Sequence, residues 1–124
     1  MKLKGKVTII TGAGYGYGMS RGFPEAFVRE GSHLSLNYYG CDEKGMLLWA
    51  QEMEKFGVKV VLTQGDISQE ATARKLIQRT MDEFGRIDVL VNNAGITDPK
   101  SIVDMTVEEW DRMIAVNLRS FFLT

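Results

Sequence analysis

The chain has 124 residues, 44% of them hydrophobic, with a formal net charge of −1. That supplies one domain with a core, and it gives no basic field for nucleic acid or an anionic membrane. The single cysteine, Cys41, excludes an internal disulfide framework and suits a reducing compartment, where it reads as a structural thiol.

The opening MKLKGKV contains no signal-peptide core, and no apolar run is long enough to span a bilayer. A cytoplasmic protein is the expectation. No metal-ligand pattern is read.

Val7 to Thr11 (VTIIT) is a β-branched run that reads as a buried strand of a parallel sheet. Gly12, Gly14, Gly16 and Gly18 follow at alternate positions. A strand that stops in a glycine turn and feeds a helix is suited to phosphate. The glycines allow close backbone approach, and the helix N-terminus offers free N–H groups. The spacing does not meet G-x-G-x-x-G, and no Gly-Lys-Ser/Thr follows, which excludes a P-loop. T-G-x-x-x-G-x-G, through Thr11, Gly12, Gly16 and Gly18, fits a nucleotide turn. G-x-G-x-G from Gly14 to Gly18 also suits a methyltransferase loop, and at this point both stand.

In MSRGFPEAFVREG the proline disfavours a helix interior. The regular helix is therefore expected to begin near Phe23 or Pro24, with Met19 to Gly22 irregular, and to end at Gly31. His33 to Asn37 is the second strand, and Tyr38, Tyr39 and Gly40 turn the chain. His33 is assigned no role. Asp42 caps a helix running to about Phe56, with Met46, Trp49, Ala50, Met53 and Phe56 on its packing face. Lys59 to Gln64 is the third strand, ending at Gly65 and Asp66. Ser68 is read as the N-cap of a helix closed by Gly85. Asp88 to Asn92 is the fourth strand, followed by the turn Asn93–Gly95. Thr106 and Glu109 form a capping box for a last helix.

Strands alternating with helices predict an α/β fold with right-handed crossovers and a parallel sheet, as a single domain over residues 1–124. Ligands in such sheets bind outside the carboxyl ends of the strands. The Gly12 turn, Tyr38, Asp66 and Asn92–Gly95 all stand at those ends.

At these motifs the sequence resembles the short-chain dehydrogenase/reductase family, over essentially its whole length. TGAGYGYG matches the family's cofactor loop, GDIS resembles its adenine segment, and DVLVNNAGI followed by EEWDRMIAVNL is similar almost residue for residue. The resemblance implies a Rossmann-like three-layer αβα fold, here truncated after the fourth β-α unit, and an NAD(P)-dependent oxidoreductase interconverting a hydroxyl and a carbonyl. It reduces the methyltransferase alternative to an unlikely one, because nothing in that fold requires NNAG.

It makes Thr11, Gly12, Gly14, Tyr15, Gly16, Tyr17 and Gly18 cofactor-binding candidates, with Gly12, Gly16 and Gly18 cradling the pyrophosphate. Tyr38 would stand at the ribose, and Asp66 and Ile67 at the adenine. Asn92, Ala94 and Gly95 would shape the site beside the adenine ribose. Asn117 matches the family's catalytic asparagine. It shares a helical face with Trp110, Met113, Ile114 and Phe121, which predicts a buried amide in an apolar stripe. Asn37 and Tyr38 stand where an acid would bind the ribose of NAD, which favours NADP, with Arg21 as a partner for the 2′-phosphate. The family's basic positions hold Tyr15 and Tyr39.

The family's Ser and Tyr-x-x-x-Lys do not occur. Tyr15, Tyr17, Tyr38 and Tyr39 are followed four residues later by Met19, Arg21, Asp42 and Glu43. The expectation is an inactive N-terminal part of a longer enzyme, and the alternative is a non-catalytic dinucleotide-binding or regulatory module. The family's sheet order would put Val89–Val91 on an open edge. A homo-oligomer through that edge and the last helix is therefore also expected.

Overall fold

The computed structural model describes residues 1–124. Four parallel strands, β1 (Val7–Ile10), β2 (His33–Tyr38), β3 (Val60–Gln64) and β4 (Val89–Val91), form one sheet in the order β3-β2-β1-β4. Between them run α1 (Met19–Arg29), α2 (Glu43–Glu54) and α3 (Glu70–Phe84). After β4 come α4 (Val107–Ile114), a π-helical turn at Ala115–Arg119, and α5 (Ser120–Leu123). This is the expected Rossmann-like α/β fold.

Side-chain alternation divides the core between two faces of the sheet. Ile10, Leu34, Leu36 and Tyr38 pack with Val28 of α1 and with Met46, Trp49 and Met53 of α2. Ile9 packs on the other face with Ile67 and with Ala73 and Leu76 of α3. The buried Thr63 hydroxyl on β3 has no partner, but other buried hydroxyls on the strands are paired: Thr8 with Ser32 at 2.8 Å, and Ser35 with Thr80 at 2.7 Å. Such pairing removes most of the cost of burying them.

The chain winds from β1 to β3 on one side, then crosses to lay β4 on the other side of β1. The strand order reverses between β1 and β4, and there the loops leaving the two strands diverge and open a crevice. β4 has a neighbour on one side only, and Leu90 in it is 39% exposed.

Besides Phe56, which lies past the end of α2 and is 49% exposed instead of on its packing face, three local expectations need correction. First, α1 begins at Met19 and carries Pro24 inside it. A proline strips one helical donor and leaves the carbonyl of Ser20 without its partner. The N–H of Gly14 takes that carbonyl at 3.1 Å, so the glycine loop fills the gap and the helix continues. Second, Ser68 is not the cap of α3. Gln69 holds that position, and Ser68 is buried with its hydroxyl donating to Asp66 at 2.7 Å. Third, Asn117 is exposed, and Trp110 and Phe121 are each 45% exposed. The π-helical turn rotates the helix face, so that Val116 and Ser120 meet the core instead. The capping box at Thr106 and Glu109, the Asp42 cap of α2 and the left-handed Gly85 are as expected.

Candidate functional site

A crevice of about 520 Å³ opens where β1 and β4 end. Its glycine wall comes from the loop between β1 and α1. Gly12 has φ 65°, and a Cβ there would lie 2.6 Å from the Cα of Ala94. Glycine is therefore what lets the β1 loop rest against the β4 loop. Thr11 completes the joint: its hydroxyl, 1% exposed, accepts from the N–H groups of Asn93 and Ala94 at 3.1 Å each. The Asn93 amide donates back to the carbonyls of Thr11 and Gly12 at 3.0 Å.

Farther along, the backbone N–H groups from Tyr15 through Ser20 find no acceptor within the chain. They include the free donors at the N-terminus of α1. Gly16 has open space where a Cβ would stand, so the loop is a backbone cradle with room beside it. Unpaired N–H groups converging at a helix N-terminus attract an anion.

Tyr15 is turned out of the crevice. Its ring lies over Gly45, where a Cβ would come within 2.6 Å of it, and its hydroxyl donates to Asp42. That bond raises the phenol above its usual pKa and lowers the carboxyl, which also receives the Gly45 N–H at 2.7 Å. Arg21 donates to the Tyr15 carbonyl at 3.2 Å and to Glu25 at 2.7 Å, clamping the loop from the helix side.

The opposite wall is Asp66 and Ile67 beyond β3, with Arg112 of α4. Asp66 accepts from the Ser68 N–H at 3.0 Å and from Arg112 at 2.6 Å. Burial alone would raise the Asp66 carboxyl. The Ser68 hydroxyl and amide and the Arg112 guanidinium outweigh it, and the net shift is downward. Arg112 reaches Ser68 too, at 3.0 Å, and Arg119 donates to the Ser68 carbonyl at 2.6 Å. These bonds tie the last helix to the floor of the crevice.

The structure thus brings Gly12, Gly14, Gly16, Tyr17, Asp66, Ile67, Ala94 and Gly95 to one crevice. Thr11, Tyr15, Gly18, Tyr38 and Asn92 do not line it. Thr11 supports it from beneath. Tyr38 is 2% exposed and packs in the α2-side core, and Asn92 accepts from the Thr124 hydroxyl at 2.8 Å. Asn117 stands behind the wall, where its side chain accepts from the Ile96 N–H and donates to the Ile96 carbonyl, both at 2.8 Å.

Sequence reasoning missed Arg112 altogether, and it placed Asn37 and Tyr39 at cofactor-selecting positions without counting them among the binding residues, although all three line the crevice. Strand alternation could have found Tyr39, because an inward Tyr38 forces its neighbour outward. Asn37 donates to the carbonyls of Thr63 at 3.3 Å and Gly65 at 2.9 Å, and this tertiary role carried no local signal.

No group of three or more His, Cys, Asp or Glu is placed to hold a metal ion, and no helix is long and apolar enough to cross a membrane.

The family model described as short chain dehydrogenase matches residues 6–124. A short-chain dehydrogenase/reductase of Hericium erinaceus is 40% identical over 125 residues, covering 99% of this chain and 48% of that protein. A short-chain dehydrogenase/reductase of Serratia marcescens superposes with TM-score 0.90 at 27% identity, covering 99% of this chain and 49% of that one. A short chain dehydrogenase of Mycobacterium smegmatis gives 0.87 at 33% identity, over 98% and 49%. The chain spans about half the length of the relatives it matches. With a parallel sheet reversing between β1 and β4, a glycine loop at that reversal, and this match over residues 6–124, the chain belongs to the short-chain dehydrogenase/reductase family.

Proposed function

We propose that this chain is the dinucleotide-holding part of an NAD(P)-dependent oxidoreductase that interconverts a hydroxyl and a carbonyl. The observation that carries the reading is the run of unpartnered backbone N–H groups from Tyr15 through Ser20, beside the open space at Gly16. A pyrophosphate fits such a cradle. The dinucleotide, when bound, supplies the hydride donor or acceptor.

The chain's own residues bind and orient. The loop amides and the α1 N-terminus hold the pyrophosphate. Asp66 and Ile67 bound the base, with the Asp66 carboxylate held by Ser68 and Arg112. Asn117 is a positioning residue, because both its polar atoms are committed to Ile96 and through it to the NNAG turn. NADP is favoured over NAD. Tyr38 turns into the core and Tyr39 faces the crevice, so no carboxylate from the end of β2 opposes a 2′-phosphate.

The 124-residue polypeptide is not expected to turn over by itself. No tyrosine has a lysine four residues on, Tyr15 is bonded to Asp42, and Tyr38 is buried. General acid catalysis typically contributes about 10²–10⁴-fold, and the phenols that line the crevice, Tyr17 and Tyr39, have no lysine four residues on to activate them.

Two measurements test the proposal. NADPH consumption by the purified chain with a panel of aldehydes and ketones should stay at the blank rate. NADP⁺ should bind more tightly than NAD⁺ in calorimetry. Steady NADPH oxidation would overturn the first claim, and equal or reversed affinities the second.

A further inference from the structure

A second cavity, of about 720 Å³, shares no lining residue with the glycine crevice and lies on the free edge of β3 between α2 and α3. The Tyr38 side chain reaches it. Tyr38 is 2% exposed, lines this cavity, and its phenol makes no hydrogen bond to the protein. The ring is buried, but the hydroxyl opens onto the cavity, where it is free to donate to a ligand or to water. Burial raises the phenol above its usual value, and the charge of Glu43 across the cavity adds to the shift, so at neutral pH the group is a hydrogen-bond donor.

The charges around the phenol are unevenly committed. Lys59 pairs with Glu83, Glu54 accepts the N–H of Val60 at 3.1 Å, and Asp82 accepts from Gln78 at 2.7 Å. Lys75 and Arg79 line the same cavity one helical turn apart on α3, and neither forms an ion pair. Leu47 of α2, also in the lining, is 50% exposed. An unpaired guanidinium, an unpartnered phenol donor and an exposed leucine thus share one cavity at a sheet edge.

We propose that this cavity binds a small organic monocarboxylate, its carboxylate on Arg79 and the Tyr38 hydroxyl and its apolar body on Leu47 and Leu62. The planar fork of arginine matches a carboxylate bidentately. Phosphate chemistry fits less well. The carboxylates of Glu43, Glu54, Asp82 and Glu83 line the same cavity and repel an anion in proportion to its charge, so a dianion is disfavoured more than a carboxylate. The volume lies in the range of small-molecule pockets. The site is independent of the glycine crevice and of any role that crevice has.

Hexanoate is the probe, titrated into the full chain and followed by amide chemical shifts. Saturable shifts are expected at Leu47, Leu62, Gln64 and Arg79, with a dissociation constant of about 1 mM or tighter. Hexanamide, which has the same body without the charge, should bind about tenfold more weakly, as should hexanoate to Arg79→Ala. Tyr38→Phe, which keeps the ring, should weaken binding by about threefold to tenfold. Inorganic phosphate should leave these amides unmoved. The proposal is overturned if hexanoate does not saturate by about 10 mM, if hexanamide binds equally well, or if Arg79→Ala changes nothing. Arg79 is exposed, so its variant and the hexanamide comparison decide the matter even if Tyr38→Phe fails to fold.

Discussion

Gly12 is held by geometry that no other residue satisfies. Its φ of 65° disfavours any side chain, and the Cα of Ala94 occupies the space a Cβ would need. Gly12→Ala should therefore destabilise the chain by about 2–4 kcal/mol, combining backbone strain with a forced shift of the β4 loop. Urea unfolding measures it, and a variant within about 0.5 kcal/mol of the parent would contradict this account of the joint.

Asp88 gives a pH signature. The Arg86 guanidinium, the Val7 N–H at 2.9 Å and Lys6 at 3.4 Å hold its carboxyl down to about 2. A carboxyl lowered on folding stabilises the native state above its unfolded pKa, and that contribution is lost as pH falls through the folded value. Melting temperature should therefore drop between about pH 4 and pH 2, and Asp88→Asn should flatten that drop while lowering stability at neutral pH. An unchanged slope in the variant would rule the assignment out.

At this scale the sequence was legible where the backbone itself carries the constraint, as at Gly12, Asp42, Gly85 and Thr106. It was not legible where a side chain chooses between partners. Thr11, Tyr15 and Asn117 each stood in the right segment, yet their polar atoms go to Asn93 and Ala94, to Asp42, and to Ile96.

Among the elements, α1 and the last helix depart most from expectation, each for its own reason. Pro24 is tolerated because the Gly14 N–H reaches the Ser20 carbonyl, a contact across the loop that no helix rule contains. The last helix was read as one amphipathic stripe. The π-helical turn at Ala115–Arg119 instead gives Val116 and Ser120 to the core.

Val107, Trp110, Ile114, Leu118, Phe121 and Phe122 are left exposed on the last helix, and β4 has a free edge. We propose that a second copy covers this surface. At about 25 cal/mol per Å², a few hundred Å² of apolar burial per chain offsets much of the cost of association. Light scattering at micromolar concentration should report a dimer or larger species. Phe121→Arg should shift it toward monomer without lowering the melting temperature of the isolated chain. A monodisperse monomer of the parent would remove the proposal.

For the whole molecule, alternation of strands and helices was enough to give the parallel sheet and the crevice at its carboxyl edge, because crossover handedness and strand burial leave few other arrangements. Strand alternation puts Tyr38 on the face of Leu34 and Leu36 and turns Tyr39 away from it, but that the one ends in the core and the other at the crevice depends on what packs there.

The central claim is that the loop amides from Tyr15 to Ser20 hold the pyrophosphate of a dinucleotide. Titration of NADP⁺ and ADP-ribose into the labelled chain, with amide shifts read residue by residue, tests it most directly. The account predicts weak, saturable binding, no tighter than about 100 µM, with the largest shifts at Gly16, Tyr17, Gly18 and Met19 and smaller ones at Asp66, Ile67 and Ala94. Shifts confined to other surfaces, or none with either ligand at millimolar concentration, would contradict it.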